Sequence, residues 1–365
     1  MMILHDACRW MVRSAQSLLV LAFATAAWAQ PVPDFDQARA ASAARSACAP
    51  FQGRKLSLVV PNKPGGGFDL MARTFGPVLE QHSRMSVAVS NVPGAQGMMA
   101  IRAVSEARSD RPVIGLIGLG SFVNQEVSQG AATDWAGFTS LGLLSTDYVV
   151  WLTRQSTNWL QSGAKSWVVT SAISPFVNFG LPGRVLGLDL KPVFGYEGTH
   201  EAWLALLRGD IDATSISDQS AKRALATGSP AAVSLTLTSA PHPDFPGVPH
   251  LAGRGGLVDQ RTRDMAPARR KELMAQAALA VTLSEQARML LASTRLAPPL
   301  LACLRQASEA AMFDPALAEA ARRQKLVLEP EPADKARAKM ADLRQALDQN
   351  RPFLHSVVKE WNGGR

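Results

Sequence analysis

The sequence has no lysine- or arginine-rich run of the nucleic-acid-binding type. Its 38 lysines and arginines are scattered over 365 residues. The electrostatic footprint of most nucleic-acid-binding surfaces is therefore missing, and no nucleic-acid partner is expected. Metal-ligand spacing is missing as well: there is no His-Glu-x-x-His, and the three cysteines form no cluster. There is no G-x-S-x-G nucleophile elbow. The stretch "GLGSF" (Gly118–Phe122) contains Ser121 but lacks the x-Gly that should follow it. There is no Gly-Lys-Ser/Thr after a glycine loop and no G-x-G-x-x-G, and "GLIGLG" (Gly115–Gly120) has the wrong spacing. Beyond residue 29 no segment reads as a membrane span, which takes about 20 apolar residues. These absences argue against catalytic residues, a cofactor or a metal.

The chain is long enough for two medium domains, each with its own core. A composition of 47% hydrophobic and 19% charged residues is that of a globular protein. The formal charge of +8 suits an anionic ligand or surface without identifying one. Arg9 and Arg13 precede an apolar run, Leu18–Ala29, that ends in the small-x-small pattern Ala27-Trp28-Ala29. Residues 1–29 therefore read as a cleavable secretory signal peptide, with the mature chain starting near Gln30 in the periplasm. Cys8 lies before the apolar run, the wrong place for a lipid anchor. Cys48 and Cys303 remain after cleavage. An oxidising compartment favours one bridge between them, the alternative being two separate buried thiols. A loop that long would stabilise by about 4–5 kcal/mol in the chain-entropy description.

From residue 55 onward strand-like and helix-like runs alternate. Leu56–Val60, Val87–Ser90, Val113–Ile117, Leu141–Leu152, Trp167–Thr170, Lys191–Phe194, Ile211–Ser215 and Ala232–Leu237 read as strands. Residues 31–50 read as a loose lead-in, and beyond residue 265 the chain reads as nearly all helical. Such alternation predicts parallel sheets with helices on both faces. Ligands of such folds bind at the carboxyl ends of strands, so the loops after strands are the places to look.

Two of those loops share a chemistry. In "PNKPGGGFDLMAR" (Pro61–Arg73), Gly65, Gly66 and Gly67 let a ligand approach the backbone amides. The helix that follows points unpaired N–H groups and the positive end of its dipole at that spot. Asp69 fits an N-cap or first-turn role. In "NVPGAQG" (Asn91–Gly97), Pro93-Gly94 makes the turn and Gly97 leaves amides exposed. Two such loops on adjacent strands would hold an acid with backbone donors and bridging waters. His200, His242 and His250 are the remaining catalytic candidates. The latter two sit in a proline-rich stretch and read as solvated.

These motifs resemble the substrate-binding proteins of tripartite tricarboxylate transporters, the Bug family. The family's first loop, P-x-x-P-G-G-x-x-D-x-x-A-R, is matched by Pro61, Pro64, Gly65, Gly66, Asp69, Ala72 and Arg73. Its second, N-x-P-G-A-G-G, is matched by Asn91, Pro93, Gly94, Ala95 and Gly97, with Gln96 in place of a glycine. "VFGYEGTHEAWLALLRGDID" (Val193–Asp212) and "LTSAPHPDFPGVPHL" (Leu237–Leu251) resemble two further family stretches. There are departures too. No histidine enters the second domain at "TSAISPFVN" (Thr170–Asn178), Glu197 stands for the usual lysine, and Ile216 stands where many members have an Asp.

The resemblance implies an α/β, two-lobed periplasmic-binding-protein-like (Venus flytrap, type II) fold with a ligand cleft between the lobes. Lobe 1 would be residues 50–152 plus 238–365, and lobe 2 residues 153–237. The implied ligand-binding set is Gly66, Gly67 and Phe68 with Asp69 as their brace, then Ala95, Gln96 and Gly97, Ser121, Ser171, Ser174 and Tyr196. Ser121 is equally a turn residue. Ser171 or Ser174 is alternatively an N-cap of the next helix, and for Ser174, which precedes Pro175, the cap is the stronger reading. The implied function is an exported binding protein that delivers a small carboxylate to the membrane subunits of a transporter, acting as a monomer. A ligand-binding subunit that feeds a sensor is the alternative, and an exported hydrolase is the more distant one.

Overall fold

Among the described residues of the computed structural model (35–128, 133–154, 166–171, 174–196, 198–226 and 228–361), ten strands make two five-stranded sheets. The expected signal peptide and Glu197 lie outside the described residues. The first sheet takes β1 (Lys55–Val60), β2 (Ser86–Asn91), β3 (Val113–Gly118) and β4 (Phe138–Asp147). The second takes β5 (Val149–Arg154), β6 (Trp167–Ser171), β7 (Leu190–Pro192), β8 (Ala213–Ser217) and β9 (Ala231–Thr236). The last strand, β10 (Gln286–Ser293), returns to the first sheet. The orders are β2-β1-β3-β10-β4 and β7-β6-β8-β5-β9.

The sheets are mixed, where the alternation had predicted parallel ones. β1 runs parallel to β2 and β3, but β10 is antiparallel to β3 and β4, and β5 is antiparallel to β8 and β9. The two reversed strands are the ones that arrive from the other sheet. β5 continues from β4 with only Tyr148 between them, and β10 follows the helix Pro267–Ser284. Neither is fed by the right-handed strand-helix-strand crossover that makes neighbours parallel.

Twelve helices accompany the sheets among the described residues. They are α1 (Gln37–Cys48), α2 (Gly67–Ser83), α3 (Met98–Ser105), α4 (Gly120–Ser128), α5 (Leu181–Leu186), α6 (Thr199–Arg208) and α7 (Asp218–Leu225). After them come α8 (Leu257–Arg261), α9 (Pro267–Ser284), α10 (Pro298–Met312), α11 (Pro315–Arg323) and α12 (Ala333–Trp361). A π-turn, Phe176–Gly180, leads into α5.

The period-two side-chain alternation of strands sorts the core. Leu56, Leu58 and Val60 face α1, α2 and α10, packing with Cys48, Phe75, Leu79 and Leu304. Val59 and Ile117 point the other way. They join a layer that runs through Trp151, Phe176 and Phe179 to Met340 and Leu343 of α12. Val150 and Leu152 face α6, against Trp203 and Leu206. Each fully buried large side chain of this kind contributes about 1.5–3 kcal/mol.

The lead-in is more ordered than its alanine-rich composition suggested. Residues 37–48 form α1, which packs on α10, and Cys48 is bonded to Cys303 with both sulfurs buried. The tail is less helical than expected, since β10 lies inside the first sheet. The lobe limits expected at 152 and 238 can be set beside two observed positions. The strand that crosses between sheets starts at Val149, and the chain next pairs with the first sheet at Gln286.

Candidate functional site

The amides of the first loop and the ends of the second sheet's strands meet at one cavity. In the present arrangement about 50 Å³ of it is open to the centre of a water-sized sphere. One water needs about 10–15 Å³ of such space, so the cavity has room for a few. Asn62, Gly66, Gly67 and Phe68 come from the loop after β1, and Gly120 and Ser121 from the start of α4 after β3. The opposite wall is Ser171 and Ser174 after β6, Asn178 of the π-turn, and Ser215, Ser217 and Ser220 around the end of β8. Ser284, Gln286 and Arg288 close it from the α9–β10 junction.

The second loop lines an adjoining groove. Its walls are Pro61, Gly94–Gly97, Ser171, Phe194, Gly195 and Tyr196, and about 200 Å³ of it is open on the same measure. Of the sequence-predicted residues, the structure thus groups Gly66, Gly67, Phe68, Ser121, Ser171 and Ser174 in one cavity. It places Ala95, Gln96, Gly97 and Tyr196 in its neighbour, with Ser171 common to both. The two adjoin at Gly97, where a Cβ would come within 2.7 Å of the Ser121 hydroxyl. Gly94, Ala95, Gln96 and Gly97 all have positive φ, so two non-glycine residues are held in the left-handed region. Gln96 in that conformation accepts a hydrogen bond from Asn124, a side-chain contact that a glycine lacks.

Asp69 lines neither space. It is the third residue of α2 and reaches back to accept the Gly65 N–H at 2.9 Å, which ties the loop to the helix start as a capping-box acid does. The N-cap itself is Gly66, with no side-chain bond. Asp69 also accepts from Arg73 Nε at 2.9 Å and Asn91 Nδ2 at 3.0 Å, and Asn91 Nδ2 reaches the Asn62 carbonyl at 2.9 Å. Asp69, Arg73 and Asn91, three of the motif residues, therefore form one bracket behind the loop. Burial raises the pKa of the Asp69 carboxyl, but the bonds from Arg73, Gly65 and Asn91 together outweigh it and hold the value below the ordinary one.

The serines behave differently from caps. Ser174 sits at φ 57° and makes no cap bond to the π-turn. Its hydroxyl is buried without a hydrogen-bond partner among the described residues, as are those of Ser121 and Ser215 and the amide oxygen of Asn62. Ser171 accepts from Asn178 Nδ2 at 3.1 Å.

Arg288 was not anticipated. It is 1% exposed, and its Nη2 donates to Asp147 at the end of β4. Its guanidinium lies 5.3 Å from the centroid of the Phe68 ring. Burial pushes the Asp147 carboxyl up, against the pull of the Arg288 charge. The missed signal was local. "QARMLLAS" is written in residues that also form helices well, inside a helical stretch, and a strand buried on both faces shows no alternation.

His242 and His250 are buried rather than solvated, at 4% and 7% exposure. His242 Nε2 lies 3.2 Å from Asp218 Oδ2, its Nδ1 accepts the Asp244 N–H, and its ring packs on Tyr148 and Phe245. Asp218, His242 and Asp244 bring ligand-type atoms within 4.8 Å of one another. Both imidazole nitrogens already have protein partners, however, and Asp244 pairs with Lys222 at 2.9 Å. Folding the proline-rich stretch back over β9, where Thr236 bridges His250, is what buries these rings.

No protein-family model matches the sequence, and no curated protein does either. Solved structures match over most of the chain. MatC from Rhodopseudomonas palustris, solved with bound malate, is 20% identical over 84% of this chain and 99% of its own, with a TM-score of 0.60. An R. palustris protein solved with adipate is 15% identical over 84% of this chain and 97% of its own, with a TM-score of 0.62. The periplasmic binding protein BugD is 17% identical over 85% of this chain and 98% of its own, with a TM-score of 0.61. The fold is that of periplasmic solute-binding proteins: two α/β lobes with a cleft between them. The matching structures include members of the family that the loop motifs resemble.

Proposed function

We propose that this protein is an exported solute-binding protein that captures a small carboxylate between two lobes, built on the two sheets, and hands it to a tripartite tricarboxylate-type transporter. One observation carries the reading. A cavity between the sheets is walled on one side by the first turn of α2 and on the other by serines, of which Ser174 and Ser215 have hydroxyls without a partner among the described residues. A 17-residue helix aims its positive end and free amides there. Buried hydroxyls without partners are costly unless a ligand or water supplies the bond. The malate and adipate bound by two proteins of the same fold are of the matching chemistry.

The protein acts by binding, with no bond made or broken. The described lining has no histidine, cysteine, aspartate or glutamate, so general acid–base chemistry finds no candidate there. Export to the periplasm accords with the buried Cys48–Cys303 bond, which persists in an oxidising compartment.

The test is a thermal-shift screen of the mature chain against mono-, di- and tricarboxylates, sugars and cations, followed by calorimetry. At least one carboxylate is expected to raise the melting temperature, by an amount that grows with the logarithm of its concentration. A response to sugars or cations alone, with every carboxylate silent, would refute the proposal.

A further inference from the structure

Arg223 and Arg288 approach the same point from opposite lobes. A Cβ placed on Gly67 would lie 2.6 Å from Nη2 of Arg288 and 3.4 Å from Nη2 of Arg223. Arg288 belongs to β10 of the first sheet, and Arg223 to α7, which follows β8 of the second. Both guanidinium groups thus converge on the first turn of α2, where the helix dipole is also positive. Like charges gathered in a poorly hydrated place are unfavourable unless an anion joins them.

The protein supplies only part of that anion. Asp147 takes Nη2 of Arg288, leaving Nε and Nη1 buried and without a partner among the described residues. Arg223 has no carboxylate partner there. Its Nη2 donates to the neutral hydroxyl of Ser220 at 3.1 Å, and its Nη1 is buried without a partner. Asp218, the other acid nearby, is engaged by Gln219 and His242. Burial lowers the Arg223 pKa, and the Arg288 charge lowers it further.

We infer that a carboxylate of the ligand docks between Arg223 and Arg288 at the first turn of α2, so that two guanidinium groups, one from each lobe, hold it directly, and that the ligand is a compact hydroxycarboxylate. This rests on the carboxylate-binding reading above and adds side-chain charge to what the glycine loop offers through its amides. Two guanidinium donor forks suit carboxylate oxygens far better than any neutral group. The hydroxyl follows from Asn62, whose buried amide oxygen has no donor among the described residues. A carboxylate cannot fill that role and an ammonium would be repelled by the arginines, whereas an alcohol O–H fits. The small cavity excludes bulky acids in the present arrangement.

The experiment is calorimetry on the mature chain with L-malate, succinate and glycolate as probes, at low and high sodium chloride. For the wild type we expect L-malate or glycolate to bind, succinate to bind more weakly than L-malate, and affinity to fall with salt. Arg223→Gln should weaken that binding by about tenfold or more and flatten the salt dependence, and Arg223→Lys should restore part of it. Arg288→Gln combined with Asp147→Asn removes both charges of that buried pair together and should weaken binding similarly. It keeps the inference testable if Arg223→Gln fails to fold.

Affinity within about twofold of the wild type in folded variants of both kinds, with the salt dependence unchanged, would overturn the two-arginine site while leaving carboxylate binding intact. Succinate binding as tightly as L-malate would overturn the hydroxyl assignment alone. A wild type that binds none of the three acids but takes up an uncharged sugar would overturn both this inference and the function it rests on.

Discussion

The two walls of the cleft are built on different principles. The first-sheet wall is backbone: glycines present amides, and Asp69, Arg73 and Asn91 brace them from behind with bonds of 2.9–3.0 Å. The second-sheet wall is side chain: among the described residues Ser174 and Ser215 keep hydroxyls without partners, and beside them Arg223 has an Nη1 without one. A backbone wall tolerates little variation at its glycines, yet it sees only an anion. A side-chain wall can be rewritten residue by residue. On the proposed function, the amides of the first wall would meet an acid's charge, and side chains of both walls, Asn62 and Ser121 of the first among them, would discriminate among acids.

Breaking the foundation of the first wall should have the largest effect. Replacing Cys48 and Cys303 by alanine is expected to lower unfolding stability by about 2–5 kcal/mol, read by chemical denaturation. The bond ties α1 to α10 across a separation of 255 residues, and both helices pack with Leu56, Leu58 and Val60 of β1. Binding by the folded fraction should be unaffected, because neither sulfur approaches the cavity.

Gly67→Val strikes both walls together. Its first added carbon would meet Arg288 at 2.6 Å and approach Ser220 and Arg223 at 3.4 Å. Stability should fall by about 1–3 kcal/mol from overpacking. Affinity for the best carboxylate should fall by about a hundredfold in calorimetry, a loss of roughly 2.7 kcal/mol. Retained affinity would separate the glycine loop from the ligand site.

Asp69→Ala tests the brace. It should cost about 1–3 kcal/mol at neutral pH, through loss of a buried, charge-assisted set of hydrogen bonds. Asp69 titrates lower in the folded protein than the ordinary carboxylate value near ~3.9. Its stabilising contribution is therefore complete above that ordinary value and is lost as pH falls through the depressed folded one. Melting curves across the acid range should show wild type and variant converging at the lowest pH. A difference that persists there unchanged would refute the account.

Ser174→Ala should show the smallest and most discriminating effect. Removing a buried hydroxyl that has no partner among the described residues should leave the ligand-free protein as stable or more stable, by up to about 1 kcal/mol. The same change should weaken carboxylate binding by roughly threefold to tenfold, the worth of one hydrogen bond. The opposite pattern, lower stability with full binding, would make Ser174 a structural residue.

The same contrast explains what the sequence made legible. A wall made of backbone must be written in glycine and proline, so both of its loops could be read from "PGGG" and "PGAQG". The strands β1, β2 and β3 were readable because β-branched residues and leucine run between turn signals. β10 was hidden, since Gln286, Ala287, Arg288, Met289, Leu290 and Leu291 are helix-compatible and only the sheet around them makes a strand. With β10 hidden, Arg288 could not be placed. Nothing local marks Arg223, whose meeting with Gly67 depends on how the two sheets come together. The burial of His242 and His250 likewise depends on a chain reversal that no local pattern encodes.

Tyr148 is all that separates β4 of one sheet from β5 of the other, and it is one of only two tyrosines in the chain. The second, Tyr196, lines the groove beside the glycine loop. The molecule thus carries an intrinsic pair of spectroscopic labels, one at the sheet-to-sheet crossing and one at the rim of the cleft. Fluorotyrosine incorporated during expression would give two resonances, so the crossing and the rim can be followed separately in one titration without adding a single foreign side chain.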